Sequence, residues 1–259
     1  RDYYASRGLG DVYKRQGNGA AHTRRQYIHR ELRIPEAEKR GKGMDSRDEK
    51  QILKDLIRRY QAVEAIENDI FKAYEILRSC FEQGGKLLVA GNGGSCADSE
   101  HIVGELMKGF VKKRPVSPEY AKRLEAADPE LGPKLAACLQ GGLPAIALTG
   151  HTALTTAFSN DVDGSMGYAQ QVCGYGKEGD VFLGITTSGN SENILYAAAA
   201  ARASGLKIIG LTGRDGGKLK RMSDVSVVVP EQETYKIQEL HLPVYHALCL
   251  MLEEHFYEV

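Results

Sequence analysis

The chain has 259 residues, and its 34 Lys and Arg balance its 34 Asp and Glu. The length fits one large α/β domain or two small ones, and an apolar fraction of 42% is ordinary for a globular chain. No apolar run approaches the roughly 18 residues of a membrane span. The five cysteines, Cys80, Cys96, Cys138, Cys173 and Cys249, form no C-x-x-C pair. That argues against a disulfide framework or a Cys-type zinc site, and points to a reducing, cytoplasmic setting.

Charge is unevenly spread. Residues 1–43 hold eleven Lys or Arg and five Asp or Glu, so they carry the positive excess and leave the rest mildly acidic. An acidic globular part speaks against nucleic acid as its main ligand. Residues 1–43 show no sustained apolar periodicity and are expected to be disordered. They lack the apolar h-region of a signal peptide. The opening Arg1 to Gln16 looks like a translated sequencing adaptor, so this stretch reads as a non-native extension and Met44 as the native start. A basic arm touching nucleic acid is the functional alternative.

Ser46 can cap a helix beginning near Arg47, with Asp48 and Glu49 in the favourable first turn. Ile52, Leu53, Leu56, Ile57, Val63, Ile66, Ile70, Tyr74 and Leu77 recur at helical spacing. The signal lasts to Glu82, where Gly84-Gly85 ends it, and a break near Tyr60–Gln61 is expected. So long an apolar stripe suggests that part of it faces another subunit.

Lys86 to Ser95, K-L-L-V-A-G-N-G-G-S, reads as a buried strand running into a glycine-rich turn, and Ala97 to Met107 reads as a helix. Strand, Gly-rich turn and helix together can hold an anion, because the helix start offers unpaired N–H groups and a partial positive charge. The pattern is neither G-x-G-x-x-G nor G-x-x-x-x-G-K-[ST]. An ordinary strand-to-helix connection remains open here. Cys96 beside the turn reads as a small filler or, less simply, a nucleophile. His101 and Glu105, four apart, share one helix face. They can share a metal or form a structural hydrogen-bonded pair.

Lys112 to Pro115 reads as a loop, followed by short helices over Pro118–Ala127 and Pro129–Leu139, broken at Asp128-Pro129. The expected second strand is Pro144–Thr149, followed by a helical turn over Thr152–Phe158, a polar loop at Ser159-Asn160-Asp161 and a helix over Gly164–Val172. The third strand, Val181–Thr186, enters the hydroxyl-rich turn Thr187-Ser188-Gly189-Asn190-Ser191 ahead of an Ala-rich helix, Glu192–Ser204. Thr186, Thr187, Ser188 and Ser191 at a helix start suit a phosphate monoester. Plain capping is the alternative. Strands at Lys207–Thr212 and Val225–Val229 follow, with a turn at Gly213–Gly217 between them. Alternation of strand and helix implies right-handed βαβ units, a parallel sheet, and ligand turns at the carboxyl ends of the strands. The last helix runs from about Thr234 to Tyr257, with Pro243 inside it, and Leu240, Val244, Leu248 and Leu252 form its core stripe. Gln238 and His246, eight apart, project to broadly one side. His241 has no assigned role and reads as a structural or surface histidine.

G-N-G-G-S after one strand, T-S-G-N-S after another, and I-Q-E-L-H near the C-terminus resemble the sugar isomerase (SIS) domain. Within it they most resemble the phosphoheptose isomerases. The similarity runs from about residue 47 to the end. It implies a single SIS domain over residues 44–259, with a five-stranded parallel, flavodoxin-like sheet, and an aldose–ketose isomerase interconverting sedoheptulose 7-phosphate and glycero-manno-heptose 7-phosphate. By residue-for-residue match, Asn92, Gly93, Gly94, Ser95, Glu105, Asn160, Asp161, Thr186, Thr187, Ser188, Ser191 and Gln238 would hold the sugar phosphate. His101, Glu105, Gln238 and His246 match zinc-binding positions. Thr186 stands where the motif usually has Ser, and keeps the hydroxyl.

Isomerisation through an enediol needs a base for the carbon-bound proton and a group to steady the oxyanion. Glu105 is the expected base and His246 the expected partner at the oxygens, which makes these two the catalytic pair. The resemblance also implies a homotetramer with shared sites and helical interfaces. In the family, R-P leads almost directly into the strand that begins here at Leu143, so about 25 residues (roughly 115–142) are inserted. They read as a surface helical hairpin or as a lid that alters substrate preference. Two alternatives remain: a non-catalytic SIS module, either a sugar-phosphate-sensing regulator or a replication-initiator-binding protein, and an isomerase of another sugar phosphate.

Overall fold

A computed structural model describes residues 47–257. The expectations for residues 1–43 lie outside that range. Five parallel strands, β1 (Leu87–Gly91), β2 (Ala145–Ala147), β3 (Val181–Ile185), β4 (Lys207–Thr212) and β5 (Val225–Val228), form one sheet in the order β2-β1-β3-β4-β5. All five residues of β1 and of β3 are buried, as expected where helices cover both faces of a parallel sheet.

Alternate residues of each strand serve opposite cores. Leu87, Val89, Val181, Leu183 and Ile185 face one cluster, and Leu88, Ala90, Phe182 and Ile208 the other. The first cluster is closed by α1 (Arg47–Arg59), a 3-10 turn at Gln61–Ile66, α2 (Glu67–Glu82), α3 (Gly94–Met107) and α10 (Thr234–Phe256). The second is closed by α7 (Gly167–Tyr175), α8 (Glu192–Ala203) and α9 (Gly217–Met222). Small Ala197, Ala198 and Ala201 let α8 lie close to the sheet.

The long N-terminal helical signal does break at Tyr60, between α1 and the 3-10 turn. Most of its apolar stripe is covered within the chain. Leu53, Leu56, Val63, Ile70, Tyr74 and Leu77 are all buried in the first core cluster, while Ile52 and Ile57 of the same stripe are only partly buried against it. The inserted hairpin consists of α4 (Pro118–Ala127) and α5 (Gly132–Cys138), which pack on each other. The second helix starts at Gly132, later than Pro129, because Asp128 Oδ1 accepts from the N–H groups of Glu130 and Leu131 and holds a turn there. The hairpin is closed at its base by an antiparallel bridge between Pro115 and Gln140 and by the Gly141 N–H donating to Arg114 O at 2.7 Å.

Three other expectations are corrected. The polar loop after α6 (Thr152–Phe158) is a π-helical turn, Ser159–Asp163. The next helix begins at Gly167 after a 3-10 turn, Gly164–Met166, held by Asp163. Beyond the Gly-rich turn at Gly213, α9 is an additional short helix too brief for a clear periodic signal. Among the described residues no helix is long and apolar enough to cross a membrane.

Candidate active site

The two ligand turns leave adjacent strands. Gly91 at the end of β1 and Ile185 at the end of β3 are register partners. The strand order reverses between β1 and β3, and ligands of open α/β sheets bind at such a switch point. In the first turn Gly93 adopts φ +57°, a backbone conformation side chains disfavour. Gly94, opening α3, has Gln238 Nε2 about 2.5 Å from where its Cβ would stand. Any larger residue there would displace Gln238, so the glycine admits the amide of α10 to the turn.

In the second turn the hydroxyls do not serve as the helix cap. Ser191 stands at the N-cap of α8, yet its side chain caps nothing. Its Oγ lies 2.8 Å from Thr186 Oγ1 instead. Ser188 Oγ accepts from the Asn190 N–H at 3.2 Å. No Ser191 side-chain cap competes at the start of α8, although the Ile194 N–H is met by Ser191 O at 3.1 Å and by Asn193 Oδ1 at 3.0 Å. Thr186 is buried, Thr187, Ser188 and Ser191 are half-buried, and Asn92 is exposed. Ser95 is buried beneath the first turn, and its carbonyl accepts from Ser99 Oγ.

Two helical turns along α3, the acid–base residues meet those of α10. His101 Nε2 lies 3.2 Å from Glu105 Oε1, and the His101 and His246 ring centroids are 5.0 Å apart. Lys108 Nζ reaches Glu105 Oε2 at 3.1 Å. Tyr245 stands edge-on to both histidines. Its hydroxyl donates to Asp98 Oδ1 at 3.2 Å and lies 3.0 Å from His101 Nδ1. Burial raises the Asp98 carboxyl above its ordinary value, against the lowering effect of the Tyr245 and His101 contacts. Burial, then His101, holds His246 below the ordinary imidazole value, with Glu105 pulling the other way.

The structure thus brings His101, Glu105 and His246 together. Gln238 stands with the first turn, eight residues and so about 12 Å of helix from His246. Asn160 and Asp161 are exposed on the π-helical turn, bonded to each other at 2.8 Å. No described contact joins them to His101, Glu105 or His246. Sequence reading missed Asp98 and Tyr245, which meet only when α3 packs against α10, Asn193, which bonds across to the first turn, and Lys108, which lies three residues from Glu105. Among them only Asn193, inside the T-S-G-N-S-E-N turn, lay in a stretch already under suspicion. His241 is buried and structural, with Nε2 3.2 Å from Thr212 O. The cysteines form no disulfide; burial pushes the Cys80 and Cys249 thiols up to about 12.

A three-layer fold with Gly-rich and hydroxyl-rich turns at the β1/β3 switch point defines a SIS-domain protein, and the SIS domain family model matches residues 52–136 and 129–213. The chain is 38% identical over 189 residues to a phosphoheptose isomerase of Aneurinibacillus thermoaerophilus, spanning 73% of this chain and 80% of that one. A Nitratiruptor phosphoheptose isomerase is 36% identical over 209 residues, 79% of this chain and 98% of that one. The fold matches the phosphoheptose isomerase structure from Neisseria gonorrhoeae with TM-score 0.61 at 33% identity, covering 79% of this chain and 96% of that one. The structure from Francisella tularensis matches with TM-score 0.60 at 34% identity, covering 82% and 100%. The chain belongs to the phosphoheptose isomerase family.

Proposed function

We propose that this chain is an aldose–ketose isomerase that interconverts sedoheptulose 7-phosphate and glycero-manno-heptose 7-phosphate through an enediol. The observation that carries the reading is the pairing of Glu105 with His101 and His246 beside two turns suited to a phosphorylated polyol. The names of the relatives support the sugar. The phosphate sits at Thr186, Thr187, Ser188 and Ser191, at the start of α8, where N–H dipoles favour an anion. The sugar chain runs toward Asn92, Gly93, Gly94, Ser95 and Gln238. Asn160 and Asp161 complete the substrate contacts once the π-helical turn closes on the ligand.

Glu105 removes the proton from the carbon beside the carbonyl. His101 and Lys108 hold the two oxygens of its carboxylate and fix its aim. His246, held toward its neutral form by burial and by His101, passes protons between the C1 and C2 oxygens. A non-catalytic SIS module would have no need of this acid–base group.

Zinc is proposed as the cofactor, held by His101, Glu105, His246 and Gln238. The donor chemistry of the two histidines suits zinc, since His246 Nε2 is buried without a hydrogen-bond partner and Tyr245 occupies Nδ1 of His101, leaving Nε2 toward Glu105, while Gln238, eight residues from His246 along α10, stands apart from them within this chain. Among the described residues no group of three or more His, Cys, Asp or Glu stands ready to hold a metal ion. An amide ligand indicates modest affinity. When bound, zinc would polarise the sugar carbonyl. The protein is proposed to be a cytoplasmic homotetramer with sites shared between subunits.

The test is isomerisation in D2O. An enediol route incorporates deuterium at C2 of the heptose product. Turnover without solvent deuterium that also persists in Glu105→Gln would indicate hydride transfer and exclude Glu105 as the base.

A further inference from the structure

Asn92 and Asn193 sit 101 positions apart in sequence, on opposite turns of the switch-point crevice. Their side-chain amides bond reciprocally. Asn92 Nδ2 donates to Asn193 Oδ1 at 2.9 Å, and Asn193 Nδ2 donates to Asn92 Oδ1 at 2.8 Å. Asn193 Oδ1 also accepts from the Ile194 backbone N–H at 3.0 Å. The Ile194 N–H, which the Ser191 carbonyl also accepts at 3.1 Å, faces the Asn193 amide, and an amide can meet a donor only with its oxygen, so this third bond sets which way the Asn193 amide faces. Asn193 in turn fixes the amide of Asn92.

An amide carries two N–H donors and two carbonyl lone pairs. The reciprocal pair consumes one of each on Asn92. The remaining N–H and lone pair are left in a set orientation on an exposed side chain at the crevice. One donor beside one acceptor matches a hydroxyl, which both gives and takes a hydrogen bond. A phosphate dianion only accepts, so it gains nothing from the free carbonyl lone pair.

We infer that Asn193 is a positioning residue: it locks the Asn92 amide to receive a hydroxyl of the open-chain sugar, and so selects a polyol phosphate over bare phosphate. This deepens the isomerase reading and rests on it. Asn193 acts through Asn92 and needs no contact with the substrate.

The experiment measures KM for sedoheptulose 7-phosphate and the inhibition constant of inorganic phosphate as a competitor, in wild type, Asn193→Ala, Asn193→Asp, Asn92→Ala and Asn92→Ala/Asn193→Ala. Loss of the lock raises KM about tenfold in Asn193→Ala, the worth of one or two hydrogen bonds. The inhibition constant of phosphate stays within about twofold, since the phosphate seat is untouched. Asn193→Asp falls between wild type and Asn193→Ala, because a carboxylate still accepts from Asn92 Nδ2 but has no N–H for Asn92 Oδ1. The double variant matches Asn92→Ala, as residues acting as one unit are not additive. An unchanged KM in Asn193→Ala, additive losses in the double variant, or a parallel rise of KM and the phosphate constant would each overturn the inference. The last would mean that Asn193 only supports the start of α8. A wild-type chain that turns over no sedoheptulose 7-phosphate would overturn the isomerase reading, and the positioning role with it.

Discussion

Arg114 Nε donates to Glu253 Oε1 at 2.7 Å, with both side chains withdrawn from solvent. The pair does more than neutralise itself. Arg114 also donates to the carbonyls of Leu106 and Glu105, the last turn of α3. Glu253 accepts from the N–H groups of Phe110, Val111 and Lys112. The loop wrapped around that carboxylate lays Phe110 against the His246 ring, at 5.3 Å between centroids. Both proposed catalytic residues are thereby fixed to one buried ion pair.

Removing either partner strands the other charge in the interior. Arg114→Met and Glu253→Gln are each expected to cost about 3–5 kcal/mol, read by urea unfolding. The double variant Arg114→Met/Glu253→Leu is not expected to recover, because three backbone N–H groups would lose their acceptor. Recovery to wild-type stability would show that the loop closes without this carboxylate.

His241 makes stability depend on pH. Burial lowers it from 6.5 to about 4, against the opposing bond to Thr212. The unfolded chain therefore binds this proton first as pH falls. Below about 6.5 stability declines, and the loss levels off near pH 4 at about 3 kcal/mol. His241→Gln keeps a donor for Thr212 O and is expected to flatten the curve over that window. Burial would raise Glu253, but its three backbone donors and Arg114 outweigh that and hold it below 4.5, so its own loss comes at lower pH. An unchanged slope between pH 6.5 and 4 in His241→Gln would refute the assignment.

Tyr245→Phe removes the hydroxyl shared by Asp98 and His101. Zinc affinity, measured by competition with a chelating dye, is expected to fall about tenfold, the usual cost of freeing a metal-binding histidine from its supporting bond. No change would mean that His101 needs no such support.

The inserted hairpin is expected to be separable. Its ends meet at the Pro115–Gln140 bridge, so a tight turn can replace residues 116–139 without moving Arg114 or Gly141. The thermal midpoint is expected to fall by less than about 5 °C, because α4 and α5 pack on each other. Unfolding of the shortened chain would show that the hairpin supports the core, and loss of turnover with folding intact would show that it acts as a lid.

The sheet was legible because buried parallel strands leave short apolar runs, and the turns because Gly and hydroxyl clusters punctuate them. Helical spacing made His101 and Glu105 legible as neighbours on one face, and only the resemblance to the isomerase family marked them as site residues. The Tyr245 and Asp98 support was not legible, because it forms only once α3 and α10 pack side by side. Arg114 read as a loop residue, since nothing local shows that its guanidinium turns inward to a carboxylate 139 positions away. The stripe on α1 and α2 was legible as apolar, but what covers it was decided by α10.

The most direct test is turnover of sedoheptulose 7-phosphate by the full chain, with and without zinc, beside Glu105→Gln. Aldose formation by the wild type is expected, with turnover in Glu105→Gln reduced about a thousandfold and sugar-phosphate binding retained. Near-normal turnover in Glu105→Gln would contradict the account of the base. Sugar phosphate bound without turnover by the wild type would contradict the isomerase reading itself.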